Sequence, residues 1–254
     1  MKQIWIISGM VVAALGVSAL IVGGGALLSP SASTPPASQE LPWQVQARPD
    51  GGSQTLGLIL TPAAQGRQGS STLGDVMRRW GDAVQIAIVA TPQETGNLEA
   101  YVDPMQAGFI NGKAIITADL PPEVIQGMRE RAIKTEYMGG TTRKATLSSA
   151  DMAAALQAPV AVVSFIPAAH LDEDIILSRF GAPAQRVRSN GHLTHFLYPD
   201  KGLDLTLDSE GKELLQYVAP VEFDRLRQPL LQAASASAAA SAAVSAAASS
   251  AASR

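Results

Sequence analysis

The sequence predicts an α+β fold: two tandem units, each a short helix packed on an antiparallel sheet, following an N-terminal transmembrane helix. Three observations support this prediction. They are a long uncharged apolar segment near the start, two short amphipathic helices that each end in an aromatic residue and a glycine, and runs of short strands separated by turn residues. The 254 residues suit one domain or two small fused ones once both ends are set aside.

Residues 1–28 form the predicted anchor, in which residues 4–28 carry no charge. As a helix rising about 1.5 Å per residue, that segment is long enough to span a hydrocarbon core of about 30 Å. Lys2 precedes it and the first charge after it is Glu40, so the positive-inside rule places the chain beyond the membrane. We therefore expect a single-pass bacterial inner-membrane protein with a periplasmic C-terminal domain. Small residues around Ser31–Ser33 leave a cleaved signal peptide as the alternative.

Residues 29–41, rich in proline, serine and alanine, predict an extended linker. Residues 42–120 form the first α/β unit. Its helix has Leu73, Val76, Met77 and Trp80 on one face, with Thr72 and Asp75 as a capping box and Gly81 as the stop. Its strands are predicted at Val84–Val89, Leu98–Val102 and Ala114–Leu120. Trp43 either packs on this domain or anchors it near the membrane interface.

Residues 121–158 predict a helix, a hairpin and a second helix. The first helix covers residues 121–132, and the hairpin joins Thr135–Met138 to Thr141–Thr146 across two glycines. Ser148 and Asp151 resemble a capping box for the second helix, which reaches about Gln157.

Residues 159–220 form the second α/β unit. It begins with the apolar strand Pro159–Ile166, followed by a helix that buries Ile176 and Phe180 and ends at Gly181. Four strands are then predicted at Ala184–Arg188, His192–Tyr198, Leu203–Leu207 and Glu213–Val218, with Asn190-Gly191 as a hairpin turn. Residues 221–254 predict a helix and an Ala/Ser-rich tail that is either a fraying helix or disordered, with a tail that binds a partner as the alternative.

The two units share motifs in the same order. RWGDA at Arg79–Ala83 corresponds to RFGAP at Arg179–Pro183, and LEAYVD at Leu98–Asp103 corresponds to LDLTLD at Leu203–Asp208. A Gly-Lys pair follows each strand motif, at residues 112–113 and 211–212. This order favours duplication, and the alternative is two unrelated antiparallel sheets that use common turn residues.

The second unit also resembles a known family. LDEDIILSRFGAPAQRV, HFLYP, GLDLTLD and DSEGKELLQYV, within residues 171–218, are similar to the repeat unit of the SmpA/OmlA (BamE) family of small outer-membrane-assembly lipoproteins. Tandem copies resemble the architecture of β-lactamase-inhibitor proteins, which implies helices packed on an antiparallel sheet. The chain has no cysteine, so it lacks the lipidated cysteine of that family.

Composition and motifs argue against most kinds of catalytic, metal-binding and nucleic-acid-binding site. Without cysteine there are no disulfides, thiolate zinc sites or cysteine nucleophiles, and the net charge of −3 gives no basic excess for nucleic acid. GxSxG, P-loop and HExxH motifs are absent. His170 fits a turn, and His192 and His195, three apart on a strand, face opposite sides. Asp103 and Asp208 fit turns at strand ends. We therefore expect no catalytic residue, cofactor or metal site.

Arg179, Arg186 and Arg188 cluster around the end of the second helix and the strand that follows it. They are either ordinary cations near a helix C-terminus or a patch for an anionic partner. The sequence thus predicts a non-enzymatic, membrane-anchored envelope protein that serves as a protein-interaction scaffold or adaptor. The alternative is a module that binds a small ligand, lipid or cell-wall polymer. A hydrolase would require a histidine beside a serine or carboxylate in a cleft.

Overall fold

The structure, a computed structural model, describes residues 40–189, 191–233 and 235. The predicted anchor, the linker up to residue 39, Asn190 of the hairpin turn and nearly all of the Ala/Ser tail lie outside these residues. None of the helices within them is both long enough and apolar enough to cross a membrane.

Thirteen strands and five helices make up the described chain. The strands are β1 (Gln46–Ala47), β2 (Ser53–Thr55), β3 (Leu58–Leu60), β4 (Val84–Ala90), β5 (Asn97–Ala107), β6 (Ile110–Ala118), β7 (Lys134–Gly139), β8 (Thr142–Thr146), β9 (Val160–Pro167), β10 (Gln185–Arg188), β11 (Leu193–Tyr198), β12 (Leu203–Asp208) and β13 (Leu214–Tyr217). The helices are α1 (Leu73–Trp80), α2 (Pro122–Glu130), α3 (Ser149–Gln157), α4 (Glu173–Phe180) and α5 (residues 224–233).

Ten strands form one antiparallel sheet in the order β10-β11-β12-β13-β9-β6-β5-β4-β8-β7, while β1, β2 and β3 form a small separate sheet. The α+β class is therefore confirmed. Strand β9 lies at the centre, paired with β13 on one side and β6 on the other.

Local signals predicted most element bounds. The capping box of α1 forms as expected, because the Thr72 hydroxyl accepts from the Asp75 N–H and the Asp75 carboxylate accepts from the Thr72 N–H. Ser148 likewise caps α3, and Asp172 caps α4.

The first unit differs from the prediction in two ways. Strand β5 does not end at Val102; it continues to Ala107 after a register shift between Val102 and Met105, so Asp103 lies inside a strand and not at a turn. Strands β2 and β3, which pair with each other, were not predicted. These strands are only three residues long, too short for a periodic pattern to reveal.

The large sheet has two faces with different coverings. On the first, which we call the helical face, α1 and α4 bury Trp80 and Phe180 in one continuous core. On the opposite face, which we call the second face, α5 packs Leu226 and Leu230 against β9, β10 and β11. That second cluster includes no residue of β4 to β8, so α5 covers only part of this face.

Arg67 ties distant segments together. Its guanidinium, with the side chain only 2% exposed, donates to the Thr61 carbonyl at 2.6 Å and to Glu222 at 3.1 Å, and it also contacts Asp119. These partners come from the loop after β3, the end of β6 and the segment before α5. The buried cation therefore connects the end of the small sheet to the end of β6 and to the segment that leads into α5.

Replacing Arg67 by methionine is expected to lower the free energy of unfolding by about 3 kcal/mol, since it leaves Glu222 and the Thr61 carbonyl without their buried partner. Urea unfolding of the full chain in detergent measures this. Arg78→Met is the matched control, because the Arg78 side chain is 73% exposed beside Asp75 and its pair contributes about 0–1 kcal/mol. Equal effects of the two variants would contradict the role assigned to Arg67.

Candidate functional site

The register of β4, β5 and β6 places a defined set of side chains on the second face. Gln85 pairs with Tyr101, which pairs with Ile115, and Ala87 pairs with Glu99. Since side chains alternate along a strand, all five point away from the helical face. In the segment LEAYVD, the apolar side chains therefore point toward the helices, and the polar side chains point toward the second face.

A small groove opens on this uncovered region. It encloses a cavity of about 70 Å³, and its apolar wall consists of Ala87, Val89, Ile115 and Met138. Met138 comes from the edge strand β7, which closes one side. The groove is therefore an opening on this face of the sheet, with a wall of mostly buried apolar side chains.

The polar side chains of the groove are Gln85, Glu99, Tyr101 and Lys144. Three of them have partners: the Lys144 ammonium donates to the Gln85 amide oxygen at 3.1 Å, and the Tyr101 hydroxyl donates to Asp103 at 2.8 Å. The Glu99 carboxylate makes no hydrogen bond or ion pair with any residue that the structure describes.

Burial raises the pKa of Glu99 from 4.5 to about 8. Part of the side chain still contacts solvent through the groove. Burial also raises the pKa of Tyr101, and its hydrogen bond to Asp103 acts in the same direction. At neutral pH the groove therefore contains a largely protonated carboxyl group that can both donate and accept.

A wider depression of about 400 Å³ lies between the small sheet and α1, beside Arg78 and Arg79. Its polar groups already serve the fold. The Ser70 hydroxyl donates to the Ile59 and Val160 carbonyls, and the Ser71 hydroxyl accepts from the Ile59 N–H. Arg79 leaves its Nε without a partner but donates to the Gly57 carbonyl at 3.3 Å. This depression offers little unused chemistry.

A buried polar network surrounds His195. Its Nε2 lies 2.8 Å from the Ser189 hydroxyl, and its Nδ1 lies 3.0 Å from the Asp204 carboxylate and 3.1 Å from the Thr206 hydroxyl. These are the residue types of a serine–histidine–aspartate relay. Sequence reasoning missed this grouping, although Asp204 and Thr206 are two residues apart on β12 and therefore share the face of the sheet on which His195 lies.

The surroundings of His195 suit a structural role. The ring is 3% exposed, and neither of the two cavities is lined by Ser189 or His195. A catalytic serine requires space for its substrate beside it. The network instead joins the end of β10 to β11 and β12 through satisfied buried hydrogen bonds.

The other histidines each contact one acid. His192 lies 2.8 Å from Asp208, and this hydrogen bond raises the pKa of His192. His170 contacts Glu213, which is fully buried. Within the described residues, no three histidines or acids are grouped so as to hold a metal ion.

The three arginines of the predicted patch have different environments. The Arg179 guanidinium lies 5.3 Å above the Trp43 ring, and Trp43 in turn packs edge-on against Phe180 at 6.0 Å. Trp43 thus packs on the domain. Arg186 pairs with Glu173, and Arg188 is exposed on β10. An anionic partner for these arginines stays a prediction.

Comparison with known proteins adds no relative: neither a family model, nor a curated protein, nor a solved structure matches this chain. The resemblance of residues 171–218 to the BamE-type repeat therefore stays a prediction.

Glu99→Gln is expected to stabilise the protein at high pH. The native state holds the Glu99 proton up to pH of about 8, whereas the unfolded chain releases it near pH 4.5, so the free energy of unfolding falls as pH rises between these values. Removing the charge should raise the free energy of unfolding at pH 9 by about 1–2 kcal/mol, less than the full shift because the group is partly solvated.

Urea unfolding of the full chain at pH 5 and pH 9 checks this prediction. Near pH 5 the two proteins should differ little. Glu136→Gln is the control: Glu136 is exposed beside Lys134, which holds its pKa below the usual value. A Glu99→Gln variant whose stability relative to the parent does not change with pH would contradict the burial of this carboxylate.

Proposed function

We propose that this chain is a non-enzymatic, membrane-anchored protein of the bacterial cell envelope, a scaffold or adaptor that binds another protein on the uncovered second face of its sheet. Residues 4–28 anchor it in the inner membrane, and the domain lies in the periplasm. The observation that carries this proposal is the groove over β4, β5 and β6, where apolar side chains and the sheltered Glu99 carboxyl line an opening on a face that α5 covers elsewhere.

The size of the groove favours a protein over a small ligand or lipid. Sites for small molecules are usually cavities of about 300–1,000 Å³, whereas this groove encloses about 70 Å³. That volume suits a single inserted side chain, with the flat sheet face around it as the wider contact. Helix α5 shows the kind of element that can bind this face, because it packs regularly spaced leucines onto it elsewhere.

The order of strands supports duplication of one structural unit. Counting outward from β9, β6 and β13 are the immediate neighbours, and β5 and β12 follow them. Thus LEAYVD on β5 and LDLTLD on β12 occupy equivalent places in the sheet. Each lies beside a strand marked by a Gly-Lys pair, which is inside β6 in the first half and just before β13 in the second. Helices α1 and α4 each precede their group of strands. The proposed scaffold is accordingly two related halves that share one sheet.

Site-specific photocrosslinking tests the proposed surface. A photoreactive residue in place of Gln85, exposed at the groove, is expected to give a discrete crosslinked product in native membranes. The same residue in place of Glu123, exposed on α2, should not give it. Val89→Arg, which places a charge on the apolar wall, should abolish the product at position 85. Identical products from both positions would count against the surface.

A fluorophosphonate probe tests whether the protein lacks serine-hydrolase activity. The contact between Ser189 and His195 is the observation that favours a hydrolase, because a histidine can accept the proton of a serine nucleophile. We expect no labelling, since the His195 ring is only 3% exposed and lines neither of the two described cavities. Labelling that Ser189→Ala removes and Ser178→Ala retains would overturn the non-enzymatic proposal.

A further inference from the structure

We propose that the groove accepts a lysine or arginine side chain of the protein partner, with its cationic head against the Glu99 carboxylate. This inference rests on the proposed function and specifies the chemistry of the contact. The groove combines an elongated apolar wall with one acid, and long basic side chains combine an apolar stem with one cation.

The environment of Glu99 differs from that of the other sheltered acids. Asp151 pairs with Arg131 and Glu222 with Arg67, while Glu213 has the His170 ring beside it although neither of its oxygens accepts a hydrogen bond. Glu99 has no such partner among the described residues, although burial penalises its charge. A cation supplied from outside would therefore satisfy a group that the fold itself leaves uncompensated.

The remaining groups favour a cation over other ligands. When Glu99 is ionised, an anion would be repelled by its negative charge, and the Lys144 ammonium that could attract an anion already donates to Gln85 at 3.1 Å. A wholly apolar insert would bury the carboxyl group further without a partner, which costs free energy. A lysine or arginine avoids both penalties, since its methylenes can contact Val89 and Ile115 while its head meets the acid.

The contact should strengthen with pH, because a cation pairs with the ionised form. Burial raises the pKa of Glu99 to about 8, so about a tenth of the groups are ionised at pH 7 and affinity should rise about tenfold by pH 9. Lys144 on β8 and Tyr101 on β5 are the other titratable groups lining the groove. The residues of β4, β6 and β7 that line the groove have no titratable side chain. Lys144→Gln should strengthen cation binding modestly by removing repulsion.

The experiment uses the full chain in detergent, labelled with ¹³C at glutamate carboxyl groups, with Glu99→Gln identifying the Glu99 signal. The probes are n-butylammonium, which matches the end of a lysine side chain, and 1-butanol, its neutral counterpart. We expect a saturable shift of the Glu99 signal with butylammonium, at least tenfold weaker binding of 1-butanol, and stronger butylammonium binding at pH 9 than at pH 7. Glu136→Gln should bind as the parent does.

Equal binding of the two probes, or no saturable shift at Glu99, would overturn the inference. The partner provides an independent check: a zero-length carbodiimide crosslink in native membranes should join Glu99 to a lysine of the protein captured at position 85, and Glu99→Gln should weaken that capture. If capture at position 85 persists undiminished in Glu99→Gln, the cation contact fails while the binding surface stands. If capture at position 85 itself is absent, the proposed function fails.

Discussion

Burial of strand β9 on both faces is the constraint on which the rest of the structure depends. This strand joins the two groups of strands into one sheet, with Phe165 on the helical face and Val162 under α5. A strand covered twice has no polar side to offer, which explains the nearly continuous apolar run PVAVVSFI. The neighbouring strand β6 carries Gly112 opposite Pro167 of β9. A Cβ added at Gly112 would meet the Phe165 ring and the Ile166 carbonyl. The two halves are therefore held together by backbone pairing at close approach.

The second face is covered unequally, and this inequality carries the functional proposal. Over β9 to β11, α5 supplies leucines and completes a core. Over β4 to β6 the same face carries an apolar wall and an acid whose charge is penalised by burial. A protein optimised for stability alone would place an uncharged residue at position 99, so the carboxyl group there fits a surface that is completed by a partner.

The nature of a polar residue does not by itself identify a site. His195, Ser189 and Asp204 have the chemistry of a hydrolase, yet their hydrogen bonds are satisfied within a closed network that joins three strands. Arg67 has the chemistry of an anion-binding site, yet its guanidinium already pairs with two acids and donates to a carbonyl. Glu99 is less conspicuous in the sequence, but its carboxyl group lines the groove and has no hydrogen bond or ion pair within the described residues.

The sequence by itself determined the local elements. The cap at Thr72, the helix ends at Gly81 and Gly181 and the four strands of the second half depend on signals within a few neighbouring residues. The small sheet consists of strands too short for a periodic pattern, and β5 continues through a register shift that no local signal marked. The central place of β9 depended on pairing between segments far apart in the chain. The alternation in LEAYVD indicated that Glu99 and Tyr101 share a face, but burial depends on what lies across that face. Only the tertiary structure decided that α5 covers one half of it and leaves the groove open.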